Sequence, residues 1–96
     1  MAKVIGPAAQ EFIDGLNSQD ETSKYAVFTV MPGNKYDRIV AKPHNSTQRH
    51  VYAFVDIEGN VYKAAGWKAP AKGIRYTSIA AALEAADPYG SFLYVR

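Results

Sequence analysis

Between Arg49 and Ile57 the chain alternates: Val51, Ala53, Val55 and Ile57 are apolar, and His50, Tyr52, Phe54 and Asp56 fill the positions between them. Successive side chains of a strand point to opposite faces, so this period of two reads as a β-strand with one aliphatic and one largely aromatic face. Glu58-Gly59-Asn60 turns the chain into the apolar and aromatic run Val61–Trp67, and residues 49–67 are expected to form an antiparallel hairpin. The turn sets the register. A two-residue loop places Lys63, Ala65 and Trp67 beside Phe54, Tyr52 and His50, whereas a three-residue loop with Gly59 left-handed places Tyr62 beside Phe54 and sends Trp67 to the aliphatic side.

The rest of the chain fits around that hairpin. Pro7 suits a first helical turn, and Ala8, Phe12 and Leu16 follow at helical spacing to about Asn17. The polar run 17–24 reads as a loop. Tyr25–Met31 and Tyr36–Lys42 read as strands, separated by Pro32-Gly33-Asn34. Ile74–Tyr76 is a further short strand, Thr77 or Ser78 caps a helix carrying Ile79, Ala82, Leu83 and Ala86, Asp87-Pro88 ends it, and Ser91–Val95 is a last strand. With no strand–helix–strand alternation, repeat or linker, the expectation is one domain spanning residues 1–96. It is α+β and two-layered: a mainly antiparallel sheet of four to six strands with two helices on one face. The second face of that sheet is then expected to lie open to solvent, a ligand or another subunit.

Ninety-six residues, 48% of them hydrophobic and 21% charged, suffice for one core without a metal or disulfide. With no cysteine, thiolate metal sites, disulfides and cysteine nucleophiles are excluded. The N-terminal residues lack the apolar core of a signal peptide and no stretch approaches a membrane span, so a cytoplasmic protein without membrane contact is expected.

The net charge is only +2, but residues 32–76 hold eight lysines and arginines against three acids. No acid stands between Glu58 and Glu84, and the first candidate site lies there: Lys63, Trp67, Lys68, Lys72 and Arg75, with Tyr62 and Tyr76 among them. Cations that neutralise phosphates, interleaved with rings that stack on bases, are how single-stranded nucleic acid or a nucleotide is held. The competing account makes the rings core, packs Trp67 on Pro70 and leaves the lysines as a solvated edge. The second candidate is the face carrying His50, Tyr52 and Phe54, which would serve as a seam with a second copy or a host protein. His44 and His50 lack companions at metal-ligand spacing. Asp37, Asp56 and Glu58 are acids beside turns with no nucleophile near them in sequence. No phosphate-loop glycine pattern occurs, and no enzyme, cofactor or metal is expected.

Residues 51–75 read Val-Tyr-Ala-Phe-Val-Asp-Ile-Glu-Gly-Asn-Val-Tyr-Lys-Ala-Ala-Gly-Trp-Lys-Ala-Pro-Ala-Lys-Gly-Ile-Arg. This resembles a signature of small uncharacterised bacteriophage-encoded proteins, in which a Phe-Val-Asp strand, a Gly turn, Lys-Ala-Ala or Lys-Ala-Ser, and Trp-Lys-Ala-Pro-Ala-Lys follow in order. Lys35-Tyr36-Asp37-Arg38-Ile39-Val40 is similar to their entry strand, while Gly66 stands where serine is frequent. The resemblance implies a phage gene expressed in a bacterial host, and no chemistry. The functional expectation is a non-enzymatic accessory protein that binds nucleic acid or a nucleotide through the basic segment. The alternative is a protein-interaction module, either a host-protein inhibitor or a homo-oligomer, that uses the aromatic face.

Overall fold

A computed structural model of the chain describes residues 6–33, 35–66 and 69–86. The elements in order are α1 (Pro7–Ser18), α2 (Asp20–Tyr25), β1 (Ala26–Met31), β2 (Tyr36–Pro43), β3 (His50–Asp56), β4 (Val61–Tyr62) and α3 (Ile79–Ala85). The strands form one antiparallel sheet in the order β1-β2-β3-β4, each bonded to its sequence neighbour. The fold is α+β, as the hairpin and the absence of crossover units imply.

Helix α1 starts at Pro7, whose missing N–H would have no partner in a first turn. It buries Ala9, Phe12 and Leu16, one stripe at helical spacing, against Phe28, Ile39 and Val55 on the helix side of the sheet. Helix α3 is capped by Ser78, whose Oγ accepts from the Ala81 N–H at 3.1 Å, and it adds Ile79 and Ala82 to the same core. The two helices meet closely at Gly15, where a Cβ would lie 2.5 Å from Leu83 Cδ1. Beside that contact, Gln19 Nε2 donates to the Leu83 carbonyl at 2.7 Å and satisfies one of the carbonyls a helix end leaves open.

Among the described residues three helices are present where two were expected. The polar run 17–24 holds most of α2, and among the described side chains of that helix Thr22 is the fully buried one. The Thr22 hydroxyl donates to the Leu16 carbonyl, so the residue that anchors this turn is polar and leaves no apolar period to read. Asn17, at the end of α1, closes the outer edge of β1. Its side chain donates to the Phe28 carbonyl and accepts from the Phe28 N–H, both at 3.0 Å, which reproduces with one amide the two bonds a further strand would make.

The alternation in β3 is interrupted. Ile39 pairs with Ala53 and Val40 with Val51, so Tyr52 is an extra, unpaired residue in a β-bulge. The bulge turns Tyr52 to the helix side, where its ring lies 4.9 Å from that of Phe28 and 6.3 Å from that of Phe12. Val51 therefore sits opposite Val40 on the other face, and Ile57 lies beyond the strand, 86% exposed in the turn. The aliphatic face expected from Val51 to Ile57 is thus built from Tyr52, Ala53 and Val55. The second face is also not open at its centre, because Val40 and Phe54 there are 1% and 2% exposed.

Beyond Tyr62 the expected strand to Trp67 gives way to an irregular ribbon, and the expected strand at Ile74–Tyr76 is a single bridge from Tyr76 to Val61. The expected stop at Asp87-Pro88 and the strand at Ser91–Val95 lie outside the described residues. The placement of Tyr52 predicts that Tyr52→Ala lowers the unfolding free energy by about 3–5 kcal/mol, the range for deleting a buried ring. His50→Ala, at an exposed position, should change it by no more than about 0.5 kcal/mol. Urea unfolding followed by circular dichroism measures both, and similar values for the two would contradict the bulge.

Candidate functional site

The site is organised by the turn between β3 and β4. Gly59 has φ +89°, its N–H donates to the Asp56 carbonyl at 3.1 Å, and the Asp56 N–H donates to the Asn60 carbonyl at 3.1 Å. This is the three-residue loop with a left-handed glycine. The Asp56 carboxylate holds it from inside, accepting from the Glu58 N–H (2.9 Å), the Asn60 N–H (2.9 Å) and Asn60 Nδ2 (3.0 Å). It also accepts from the Tyr62 hydroxyl at 2.8 Å. In the resulting register Phe54 faces Tyr62 and Val55 faces Val61. Val61 enters the core, and Tyr62 lies on the second face.

From Val61 the chain runs out and doubles back. The Val61 N–H donates to the Tyr76 carbonyl and the Arg75 N–H to the Val61 carbonyl, both at 2.8 Å. The Ala71 N–H donates to the Lys63 carbonyl at 2.7 Å, and the Ala65 N–H to the Ala69 carbonyl at 3.1 Å. This ribbon gathers Lys63, Lys72 and Arg75 beside β4, with Lys63 opposite the residue that precedes Lys72. Lys72 is exposed, Lys63 and Arg75 are half-buried, and Arg75 Nε is enclosed without a hydrogen-bond partner among the described residues. Trp67 and Lys68 lie outside the described residues.

On the second face the pairing lines up Met31, Arg38, Phe54 and Tyr62 in one row across all four strands. Tyr36 joins them, its ring edge-on to Tyr62 at 5.2 Å and to Phe54 at 6.4 Å. Two cations accompany the rings: the Arg38 guanidinium lies 5.8 Å from the Phe54 ring centre and Lys35 Nζ 5.7 Å from that of Tyr36. Sequence alone does not single out Tyr36 and Arg38 as site residues. Their signal is present in the alternation Tyr36, Arg38, Val40, but it becomes a shared face only once β2 is paired with β3.

The three residues expected to share a partner face are separated. His50 is exposed, Tyr52 belongs to the core, and Phe54 is buried on the second face under Arg38 and Tyr36. The bulge explains the split, because it breaks parity between His50 and Phe54. Two of the three acids weighed in the sequence hold backbone: Asp37 accepts from the Gly6 N–H at 3.0 Å and the Gly33 N–H at 3.3 Å, and Asp56 holds its turn. His44 Nε2 lies 2.6 Å from the Ser23 carbonyl, tying the β2–β3 loop to α2. Among the described residues no three His, Asp or Glu side chains come together as a metal site would require, and no helix is long and apolar enough to cross a membrane.

A family model described as a family of unknown function, DUF7717, matches residues 3–95. The chain belongs to the DUF7717 family. No curated protein and no solved structure matches it. Membership extends over both arms of the basic ribbon and over the β2 strand that carries Tyr36 and Arg38.

The Asp56–Tyr62 contact in this DUF7717 protein makes stability depend on pH at both ends of the scale. Burial pushes the Asp56 carboxyl up, but the bonds from the Asn60 side chain and backbone, Tyr62 and the Glu58 backbone outweigh it and hold the group below its ordinary value. Its contribution is present above the ordinary carboxylate value and is lost as pH falls through the lowered one. Tyr62 behaves in the opposite sense: the bond to Asp56, then burial, then the Asp56 charge push it up to about 12. The native state keeps this proton longer than the unfolded chain does, so the contribution is present below pH 10 and disappears between about 10 and 12. Tyr62→Phe is expected to remove that alkaline component, so its unfolding free energy should fall less between those values than the wild type's. Equal declines in urea unfolding at successive pH values would show that the contact carries none of it.

Proposed function

We propose that this DUF7717 protein is a small non-enzymatic accessory protein of phage type, acting in the cytoplasm of a bacterial host. On this reading it binds nucleic acid, or the phosphates of a nucleotide, through the basic ribbon from Lys63 to Arg75. The observation that carries the proposal is the fold-back of residues 61–76, which brings Lys63, Lys72 and Arg75 together in a stretch containing no acid. A cation in such a place gains from each phosphate it neutralises by releasing condensed counterions, and close spacing lets neighbouring phosphates of one strand be met together. The use of Asp37 and Asp56 as holders of backbone supports a binding role over catalysis.

A protein-interaction module, docking on a host protein or on a second copy, is the second reading. Ile57, 86% exposed at the tip of a turn pinned by Asp56, favours it, whereas the burial of Tyr52 and Phe54 removes most of the aromatic face such a module would use. Sedimentation showing only monomer, together with unchanged host-protein recovery for Ile57→Asp, would count against it.

The leading proposal predicts that a labelled single-stranded oligonucleotide binds at about 50 mM salt and loses affinity steeply by about 200 mM. Lys68→Glu with Lys72→Glu should weaken binding at least tenfold and flatten the salt slope by about 0.7 for each phosphate that is no longer neutralised. Fluorescence anisotropy measures both. Absence of binding at the lower salt, or an unchanged affinity in the double variant, would refute the proposal.

A further inference from the structure

We infer that the second face of the sheet, at Tyr36 and Tyr62, is a base-stacking platform joined to the basic ribbon, so that the ligand is single-stranded nucleic acid and not a duplex. The inference rests on the phosphate-binding role proposed for the ribbon and adds the part of the ligand that phosphate contacts leave unread. Phosphate contacts alone do not distinguish one strand from two, whereas a ring can stack only on a base whose face is not already covered by its neighbours.

The placement follows from the pairing. Tyr62 is on the second face, and its chain neighbours carry the ribbon: Val61 bonds Arg75 and Tyr76, and Lys63 comes next. Tyr36 reaches the same place from β2, its ring 5.2 Å from that of Tyr62, and both residues are half-buried. Each ring is held in position. The Tyr62 hydroxyl is tied to Asp56 at 2.8 Å, and Tyr36 lies edge-on against Tyr62 and Phe54. A ring fixed before binding loses little side-chain entropy when a base covers it.

The charges around the rings give the platform a direction. Lys35 Nζ stands 5.7 Å from the Tyr36 ring centre, and Arg38 lies on the same face over Phe54. The Asp56 carboxylate, cross-strand from Tyr36 and bonded to the Tyr62 hydroxyl, marks the end of the platform away from Lys63, and its charge opposes any phosphate that approaches there. A backbone therefore runs from the level of Arg38 and Tyr62 toward Lys63 and the other cations of the ribbon, away from Asp56, with its bases turned to the rings. A duplex can meet those cations but has no uncovered base face to offer the tyrosines.

The test compares the full-length protein and its variants on a labelled oligothymidylate of about 12 nucleotides and on a duplex of the same length at about 50 mM salt. The wild type should prefer the single strand. Tyr36→Leu and Tyr62→Leu should each weaken single-strand binding by about tenfold while leaving duplex binding unchanged, and Tyr62→Phe, which keeps the ring and removes only the hydroxyl, should retain most of the affinity. Far-UV circular dichroism of each leucine variant establishes that it is folded. Single-strand binding unaffected in folded leucine variants, or a duplex bound as tightly as the single strand, would overturn the platform and leave the ribbon standing if Lys68→Glu with Lys72→Glu still weakens both ligands. Binding of neither nucleic acid would overturn the ribbon and the platform together.

Discussion

The Asp56 carboxylate decides where everything downstream of β3 goes. Four donors converge on it within five residues, from the Glu58 and Asn60 backbones, the Asn60 amide and the Tyr62 hydroxyl. A charge accepting that many bonds is well compensated although partly buried, and it fixes a loop of three residues instead of two. Strand side chains alternate, so that one residue reverses every assignment beyond it. Val61 enters the core, Tyr62 joins Phe54 and Tyr36, and the returning arm of the ribbon bonds along the outer edge of β4.

A second parity change, at the Tyr52 bulge, acts in the other direction along β3. Without it, Tyr52 would stand on the same face as Phe54, and the core would meet α1 through Val51 alone at that level. With it, a large ring enters between Phe12 and Phe28, and the second face keeps one fewer aromatic. The fold is thereby stabilised at the cost of regular pairing, a common use of bulges near sheet edges and binding surfaces. The two irregularities lie either side of Ala53–Val55, so that only this short stretch keeps the alternation of an ideal strand.

This pattern explains what is legible in the sequence. The strands β1 to β3, the turn and the two amphipathic helices follow from local periods and breakers, and local periods survive folding when one face is buried. Helix α2 is hidden because its buried anchor is the hydroxyl-bearing Thr22. A left-handed Gly59 is one of two possibilities the sequence allows, and what decides between them is the set of donors around Asp56, a three-dimensional property. Residues 63, 72 and 75 can be grouped by charge alone. Tyr36 and Arg38 cannot be grouped with Phe54 and Tyr62 in that way, because no local rule states which strands are neighbours or in what register.

The same geometry bears on how separable the site is from the fold. Phe54 and Tyr62 owe their positions to the turn, so changes at Asp56 would alter stability and the placement of both rings together. Lys72 is different: it is exposed, on an arm of the ribbon that contributes its backbone, not its side chain, to the bond between Ala71 and Lys63. Tyr36 is intermediate, since its ring contacts other rings but its strand is held by backbone pairing on both sides. Lys72 can therefore be replaced with little disturbance of the core, whereas the rings need large apolar replacements such as leucine and a check that each variant is folded. The charge of Asp56 belongs to the turn and not to any ligand. Its place beside Tyr62 nevertheless puts a negative charge at the turn end of the row formed by Arg38, Phe54 and Tyr62.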